Sequence, residues 1–69
     1  MKISARNVLS GKVISIVRGP VTTEVTLEIA PGVQIVSTIT SNSADSLKLA
    51  EGANAYAVIK ASSVMVGTD

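Results

Sequence analysis

The sequence contains no cysteine and no histidine, and Tyr56 is its only aromatic residue. These absences exclude disulfides, the usual zinc sites, a histidine general base and a cysteine nucleophile. No apolar run approaches the ~20 residues that a membrane-spanning helix needs, and the first six residues lack the apolar stretch of a signal peptide. We therefore expect a cytoplasmic protein that is not an enzyme and does not associate with a membrane.

Charge of either sign is also scarce. Six basic and five acidic residues give a formal net charge of +1, and the sequence has no basic run. Proteins that bind nucleic acid or a membrane surface through electrostatics carry a basic patch or stripe. A partner of either kind is therefore not expected.

The chain is short, and its 69 residues predict one domain over residues 1–69. A domain of this size buries only ~60% of the surface that its unfolded chain exposes, so its own core gives marginal stability. Small proteins usually add disulfides, metals or partner subunits. Disulfides and the usual zinc sites are excluded here, and 46% of the residues are hydrophobic. We therefore expect a homo-oligomer.

Valine, isoleucine and threonine supply 23 of the 69 residues, and such β-branched side chains favour strands. The clearest alternation places Val21, Thr23, Val25, Leu27 and Ile29 on one face of a half-buried antiparallel strand. Turn signals at 19–20 and 31–32 bound this strand and predict a hairpin with the next one. The predicted strands are residues 2–6, 12–18, 21–30, 33–40 and 55–61, with residues 62–66 as a continuation or a partner.

One short helix of two turns is predicted over residues 41–49. Ser41, Asn42 and Ser43 are candidate N-caps, and Gly52 is placed for a C-cap. Four strands, a short helix and a closing strand are typical of an all-β protein with one short helix, folded as a small antiparallel β-barrel of the OB type.

The last predicted strand carries a cation two residues before a hydroxyl. Lys60 and Ser62 would share one face of this strand, since side chains two apart point the same way. Ser4 and Arg6 repeat the arrangement in mirror order near the other end of the chain. Two cations and two hydroxyls on the first and last segments predict an oxyanion pocket.

Such a pocket has a clear chemical basis. A tetrahedral dianion that leaves water needs its charge neutralised and many hydrogen-bond donors, because desolvation is otherwise costly. Arginine offers a fixed fork of donors and lysine a mobile point charge, while serine hydroxyls and backbone N–H groups add donors of small size. The hydroxyl-rich start of the helix at Thr40, Ser41 and Ser43 has the same chemistry.

Other interpretations of these residues remain open on the sequence alone. Lone cations on strands are usually surface charges, and serines before a helix are usually caps. Serine–lysine catalysis with Lys60 needs a buried, neutral lysine, which a sequence does not reveal. Glu24 and Glu28 lie on one strand face but are more typical of a solvated surface than of a cation site. An OB-type interaction module for nucleic acid or protein is the functional alternative, although the aromatic platforms and basic groove of single-strand binders are missing.

Three motifs occur in order along the chain. They are Ser4-Ala5-Arg6-Asn7 followed by Leu9-x-Gly11-x-Val13, then Ile39-Thr40-x-x-Ser43, and finally the run from Tyr56 to Val64. Together they resemble the molbindins, small molybdate-binding proteins built from the TOBE-type OB domain, over essentially the whole chain. The resemblance implies a cytoplasmic protein of molybdenum storage or homeostasis, with molybdate, and usually tungstate, as its bound ligand and no catalytic cofactor.

The resemblance also implies a homohexamer, arranged as a trimer of dimers, with anions held between subunits. By position, the residues implied for the main site are Ser4, Ala5 (through its backbone), Arg6, Lys60, Ala61 and Ser62, with Ser4 and Arg6 reaching Lys60 and Ser62 across a subunit boundary. Thr40 and Ser43 would contribute to this or to a second site. A weaker assignment gives backbone or hydroxyl donors to Gly19, Val21, Thr22 and Ser41.

Overall fold

The β-branched residues build four antiparallel strands in a computed structural model that describes residues 1–69. A six-residue helix lies between the third and fourth strands, and a single turn of 3-10 helix follows the fourth. The elements are β1 (Asn7–Arg18), β2 (Thr22–Ala30), β3 (Val33–Thr40), α1 (Ser41–Ser46), β4 (Asn54–Ile59) and the 3-10 turn Ala61–Ser63.

The strands form one sheet in the order β3-β2-β1-β4. Each neighbouring pair is antiparallel, and the two edge strands, β3 and β4, do not pair with each other. One chain therefore supplies a half-barrel with two free edges. The predicted class, an all-β protein of the OB type with one short helix, is confirmed, and so is the hairpin of β2 and β3.

The alternation in β2 places the core as predicted. Thr23, Val25 and Leu27 are buried, and Val13 and Ala57 complete the core from β1 and β4. Val21 is the exception on this face, because it precedes the strand and is 71% exposed.

A β-bulge in β1 allows this strand to pack against the same core although its apolar and polar residues do not alternate regularly. Val13 lies opposite Leu27 and Ser15 opposite Thr26, so Ile14 is an extra residue in the ladder. An extra residue shifts the alternation by one. As a result, positions on both sides of the bulge face the core, and Arg18 falls opposite Thr23.

The bulge also determines where Arg18 points. Its Nη1 donates to Oδ1 of Asp45 over 2.6 Å, which ties the end of β1 to α1. Both side chains are more than half exposed, so the pair contributes little to stability by itself.

Several predicted boundaries are wrong. Residues 2–6 are not a strand, because β4 ends at Ile59, opposite Asn7, and offers no partner beyond it. The strand predicted to start at Lys12 starts instead at Asn7, since its first half pairs with β4. The strand predicted to reach Ala61 ends at Ile59, where the chain turns into the 3-10 helix.

The predicted helix caps are also wrong. The N-cap is Thr40, whose Oγ1 accepts from the Ser43 N–H over 3.1 Å. The helix ends before Lys48, which has a φ of +53°, and Gly52 instead lies in the turn before β4. The Lys48 N–H donates to the Asp45 carbonyl (3.0 Å) and the Leu49 N–H to the Ala44 carbonyl (3.2 Å). These two bonds form a Schellman motif with lysine in the position that glycine usually takes.

Lys48→Gly is expected to raise the free energy of unfolding by about 1 kcal/mol. The left-handed conformation costs an L residue roughly 1–2 kcal/mol, and glycine adopts it freely at some entropic cost in the unfolded state. Urea denaturation measures the change. Lys48→Ala removes the same charge but keeps the strain, so an equal gain for alanine would contradict the conformational explanation.

Candidate functional site

The first and last segments of the chain meet at one end of the sheet. The pairing of Asn7 with Ile59 places residues 3–6 beside residues 60–62. Between them lies an open pocket of about 510 Å³. Its lining residues are Ile3, Ser4, Ala5, Arg6, Val58, Lys60, Ala61 and Ser62.

The pocket gathers every residue that the sequence assigned to the main site, and it does so within one chain. Crossing a subunit boundary is not needed to bring Ser4 and Arg6 beside Lys60 and Ser62. The predicted reason for the meeting of Lys60 and Ser62 is wrong, since neither lies on a strand. Lys60 precedes the 3-10 turn, and its carbonyl accepts from the Ser63 N–H over 2.8 Å.

The polar side chains of this pocket have no hydrogen-bond or salt-bridge partner within the chain. Arg6, Lys60, Ser4 and Ser62 are exposed, and none of their side chains takes part in a hydrogen bond or salt bridge within the chain. No acidic side chain lines the pocket. Two cationic side chains next to each other repel, and an anion between them removes the repulsion. At an effective dielectric of 20, opposite unit charges 4 Å apart attract by ~4 kcal/mol.

The other predicted residues form a separate cluster at the start of α1. None of Gly19, Val21, Thr22, Thr40, Ser41 and Ser43 lines the pocket. Thr40 Oγ1 donates to Ser43 Oγ over 2.7 Å while it caps the helix. This arrangement leaves the Ser43 hydroxyl proton free for a further acceptor.

Ser41 connects the helix start to the loop before β2. Its N–H donates to the Val21 carbonyl over 2.8 Å, and its Oγ donates to the Gly19 carbonyl over 2.7 Å. The Gly19 N–H in turn donates to the Thr22 carbonyl over 2.9 Å. The polar groups of Ser41 and the amide of Gly19 are thus used inside the chain, and neither is a free donor.

Sequence reasoning did not single out Thr23, which completes this network. Its Oγ1 lies 2.7 Å from Ser41 Oγ, and because the single Ser41 hydroxyl proton goes to Gly19, Thr23 must be the donor. Thr23 is fully buried. The sequence did contain a signal for this network, because Thr23 is a hydroxyl residue on the apolar face of β2. A buried hydroxyl needs a hydrogen-bond partner.

Ser41→Ala is expected to lower the free energy of unfolding by about 2 kcal/mol, because it leaves the buried Thr23 hydroxyl without an acceptor. The double variant Thr23→Val/Ser41→Ala removes both groups and should lose about 1 kcal/mol less than the sum of the single variants. Denaturant unfolding of all four proteins measures this coupling. Additive losses would mean that the two hydroxyls act independently.

A second, larger concavity of about 720 Å³ lies on the inner face of the sheet, between the two edge strands. Thirteen of its fifteen lining residues are hydrophobic, and we call it the apolar trough. Its walls include Val25 and Leu27 of β2, Ile35 and Val36 of β3, and residues 54–59 of β4. Only 6 of the 69 residues are buried in the single chain, so much of the apolar surface remains uncovered.

Comparison with known proteins gives the family. The TOBE domain family matches residues 3–66. The chain belongs to this family. The probable molybdenum-pterin-binding protein of Haemophilus influenzae is 49% identical over 69 residues, which cover 100% of both chains. The molybdenum transport protein ModE of Herbaspirillum seropedicae is 51% identical over the whole TOBE chain, which spans only 26% of ModE.

Solved structures agree with the fold of this TOBE protein. MopII from Clostridium pasteurianum superimposes with a TM-score of 0.91 at 48% identity, covering 97% of this chain and 100% of MopII. A molybdate-binding protein from Sporomusa ovata gives 0.91 at 35% identity over 99% and 100% of the two chains. The cytoplasmic molybdate-binding protein ModG, in a form with molybdate bound, gives 0.84 at 46% identity over 88% of this chain and 43% of ModG.

Two further features of the TOBE protein concern membranes and metals. None of its helices combines the length and the apolar character that crossing a bilayer requires. No three acidic, histidine or cysteine residues come together as a cation site would require.

Proposed function

We propose that this TOBE protein binds molybdate, and also tungstate, in the pocket of Ser4, Arg6, Lys60 and Ser62. The observation that carries the proposal is the convergence of two cations and two hydroxyls without protein partners and without an acidic neighbour. This donor set matches a tetrahedral dianion, which needs neutralised charge and several donors. Ala5 and Ala61 lie in the same lining, and we propose that their backbone N–H groups add donors. The names of the matched relatives, which refer to molybdenum or molybdate, support the choice of anion.

We further propose that the helix start contributes to a second anion contact. Ser43 supplies the hydroxyl with a free proton, and Thr40 orients that hydroxyl by donating to it. The loop of Gly19, Val21 and Thr22 is held against this position by Ser41.

The role that follows is binding without chemical turnover, in molybdenum storage or homeostasis, by residues 1–69 acting as one unit. The Haemophilus influenzae and Sporomusa ovata relatives are named as binding proteins, and ModG is described as cytoplasmic. These likenesses support a cytoplasmic location for this protein as well.

The proposal includes self-association, with further copies of the chain covering the apolar trough. The trough is bounded by two unpaired strand edges, and exposed edges and apolar patches of this kind mark interaction surfaces. The segment after the 3-10 turn carries Met65 and Val66, which are 95% and 90% exposed, so a neighbouring copy has an apolar segment of its own to offer. We propose the hexamer, a trimer of dimers, that the resemblance to the molbindins implies.

Titration calorimetry with molybdate, tungstate, sulfate and phosphate, combined with the particle mass from light scattering, tests these proposals. We expect saturable binding of molybdate and tungstate, and a melting temperature that rises with molybdate but not with chloride at matched ionic strength. An oligonucleotide that binds tightly and in a salt-sensitive manner, with no heat from any of the four anions, would instead indicate the OB-type interaction module.

A further inference from the structure

Val58 is the only strand residue that lines the cationic pocket. It lies on β4, two positions before Lys60, and is 41% exposed. Its cross-strand neighbour on β1 is Val8, which is 37% exposed and is not part of the lining. The pocket therefore has an aliphatic wall beside its two cations.

The volume of the pocket bears on how it can select an anion. The pocket of one chain has a volume of about 510 Å³, whereas a single water molecule needs only about 10–15 Å³ of such space. A single tetrahedral oxyanion occupies only a fraction of this space, so the pocket of one chain does not select by tight fit. Within one chain, selection then depends on the chemistry of the surfaces that the anion touches.

An anion against Val58 gives up water on that side and gains no donor in return. The cost of losing water rises as an ion of fixed charge becomes smaller, because the field at its surface is stronger. Sulfate is smaller and more strongly hydrated than molybdate or tungstate, and all three carry two negative charges. An aliphatic wall therefore penalises sulfate more than the larger dianions.

We propose that Val58 is a specificity-determining residue that favours large, weakly hydrated tetrahedral dianions over small ones. This inference rests on the proposed binding of molybdate in the same pocket. Val58 acts through direct contact with the anion, while Arg6 and Lys60 attract every dianion through its charge.

Val58→Thr tests the proposal, because threonine keeps the β-branched shape and adds a donor to the wall. Molybdate affinity is measured by calorimetry, and sulfate affinity by competition against molybdate. We expect the ratio of molybdate to sulfate affinity to fall about threefold, because a hydrogen bond to a charged group favours both dianions and only its excess for the smaller one changes the ratio. Val58→Ile, which keeps an aliphatic wall, should retain the wild-type ratio.

Val8→Thr is the matched control, since it makes the same change on the paired strand outside the pocket. Because Val58 also lines the apolar trough and Val8 does not, the affinity ratios are compared at the particle mass of the wild type, which light scattering verifies. If Val58→Thr kept the wild-type ratio of molybdate to sulfate affinity, or if Val8→Thr lowered this ratio equally, the specificity role of Val58 would be overturned. The proposed binding of molybdate would be unaffected. A wild-type protein that binds molybdate in neither assay would overturn the proposed function and this inference together. Melting temperatures without anion verify that all three variants are folded.

Discussion

Arg6→Ala is expected to weaken molybdate binding by roughly 100-fold. Arg6 supplies one of the two positive charges of the pocket and lies there without a protein partner. A hydrogen bond to a charged group contributes ~1.5–3 kcal/mol, and the guanidinium presents donors in pairs that match an oxyanion. Calorimetric titration of the variant with molybdate measures the loss, and the stabilisation of the folded protein by molybdate should shrink with it.

The companion variants separate charge from geometry. Arg6→Lys keeps the charge but loses the fork of donors, so it should retain part of the affinity. Lys60→Ala should also lose most of the binding. Lys12→Ala removes an exposed cation that lies on β1 outside the pocket, and it should bind molybdate as the wild type does. Wild-type affinity in both Arg6→Ala and Lys60→Ala would show that the pocket is assigned wrongly.

Val36→Lys is expected to disrupt the proposed oligomer. Val36 lies on the edge strand β3 and lines the apolar trough, and it is 59% exposed in the single chain. If a second copy covers the trough, the new ammonium must be buried without a partner, which costs several kcal/mol. Light scattering should show a smaller particle, and the melting temperature should fall if a chain with so few buried residues gains stability from the proposed neighbours.

Val17→Lys is the matched control, because the exposed fraction of Val17 equals that of Val36. Val17 is also 59% exposed, but it lies on β1 outside the trough. The same substitution there should leave the particle mass unchanged. Equal effects of the two lysines, or no effect of either, would contradict the trough as the surface between copies.

The sequence predicts the fold well where one physical pattern dominates. In β2 every second side chain is buried, so alternation identified Thr23, Val25 and Leu27 as the inner face. The hairpin of β2 and β3 follows from local turn chemistry at Pro31 and Gly32, which needs no knowledge of distant residues.

The predictions of secondary structure are wrong where contacts between residues distant in sequence determine the structure. Residues 2–6 have a strand-like composition, but a strand requires a partner, and β4 ends opposite Asn7. The bulge at Ile14 depends on the register with β2. The Schellman motif with Lys48 was hidden because lysine is an unusual residue for a positive φ.

The candidate site was also predicted only in part from the sequence. Residue type and spacing identified Ser4, Arg6, Lys60 and Ser62, and the structure places all four in one pocket. The strand face that was expected to join Lys60 and Ser62 does not exist, because a 3-10 turn begins at Ala61. Spacing alone did not separate the hydroxyls of the helix start from this pocket, and it gave no indication that Ser41 is held by the buried Thr23.

The pairing of β1 with β4 has a consequence for the order of folding. β1, β2 and β3 are joined to their neighbours by short turns, whereas Asn7 and Ile59 are about 50 residues apart in sequence. Closing so long a loop costs more entropy and comes late unless other contacts favour it. The anion pocket therefore exists only in chains whose last strand has docked. An anion bound at the proposed site would stabilise the docked form of this strand, so the free energy needed to open the sheet there would rise with anion concentration.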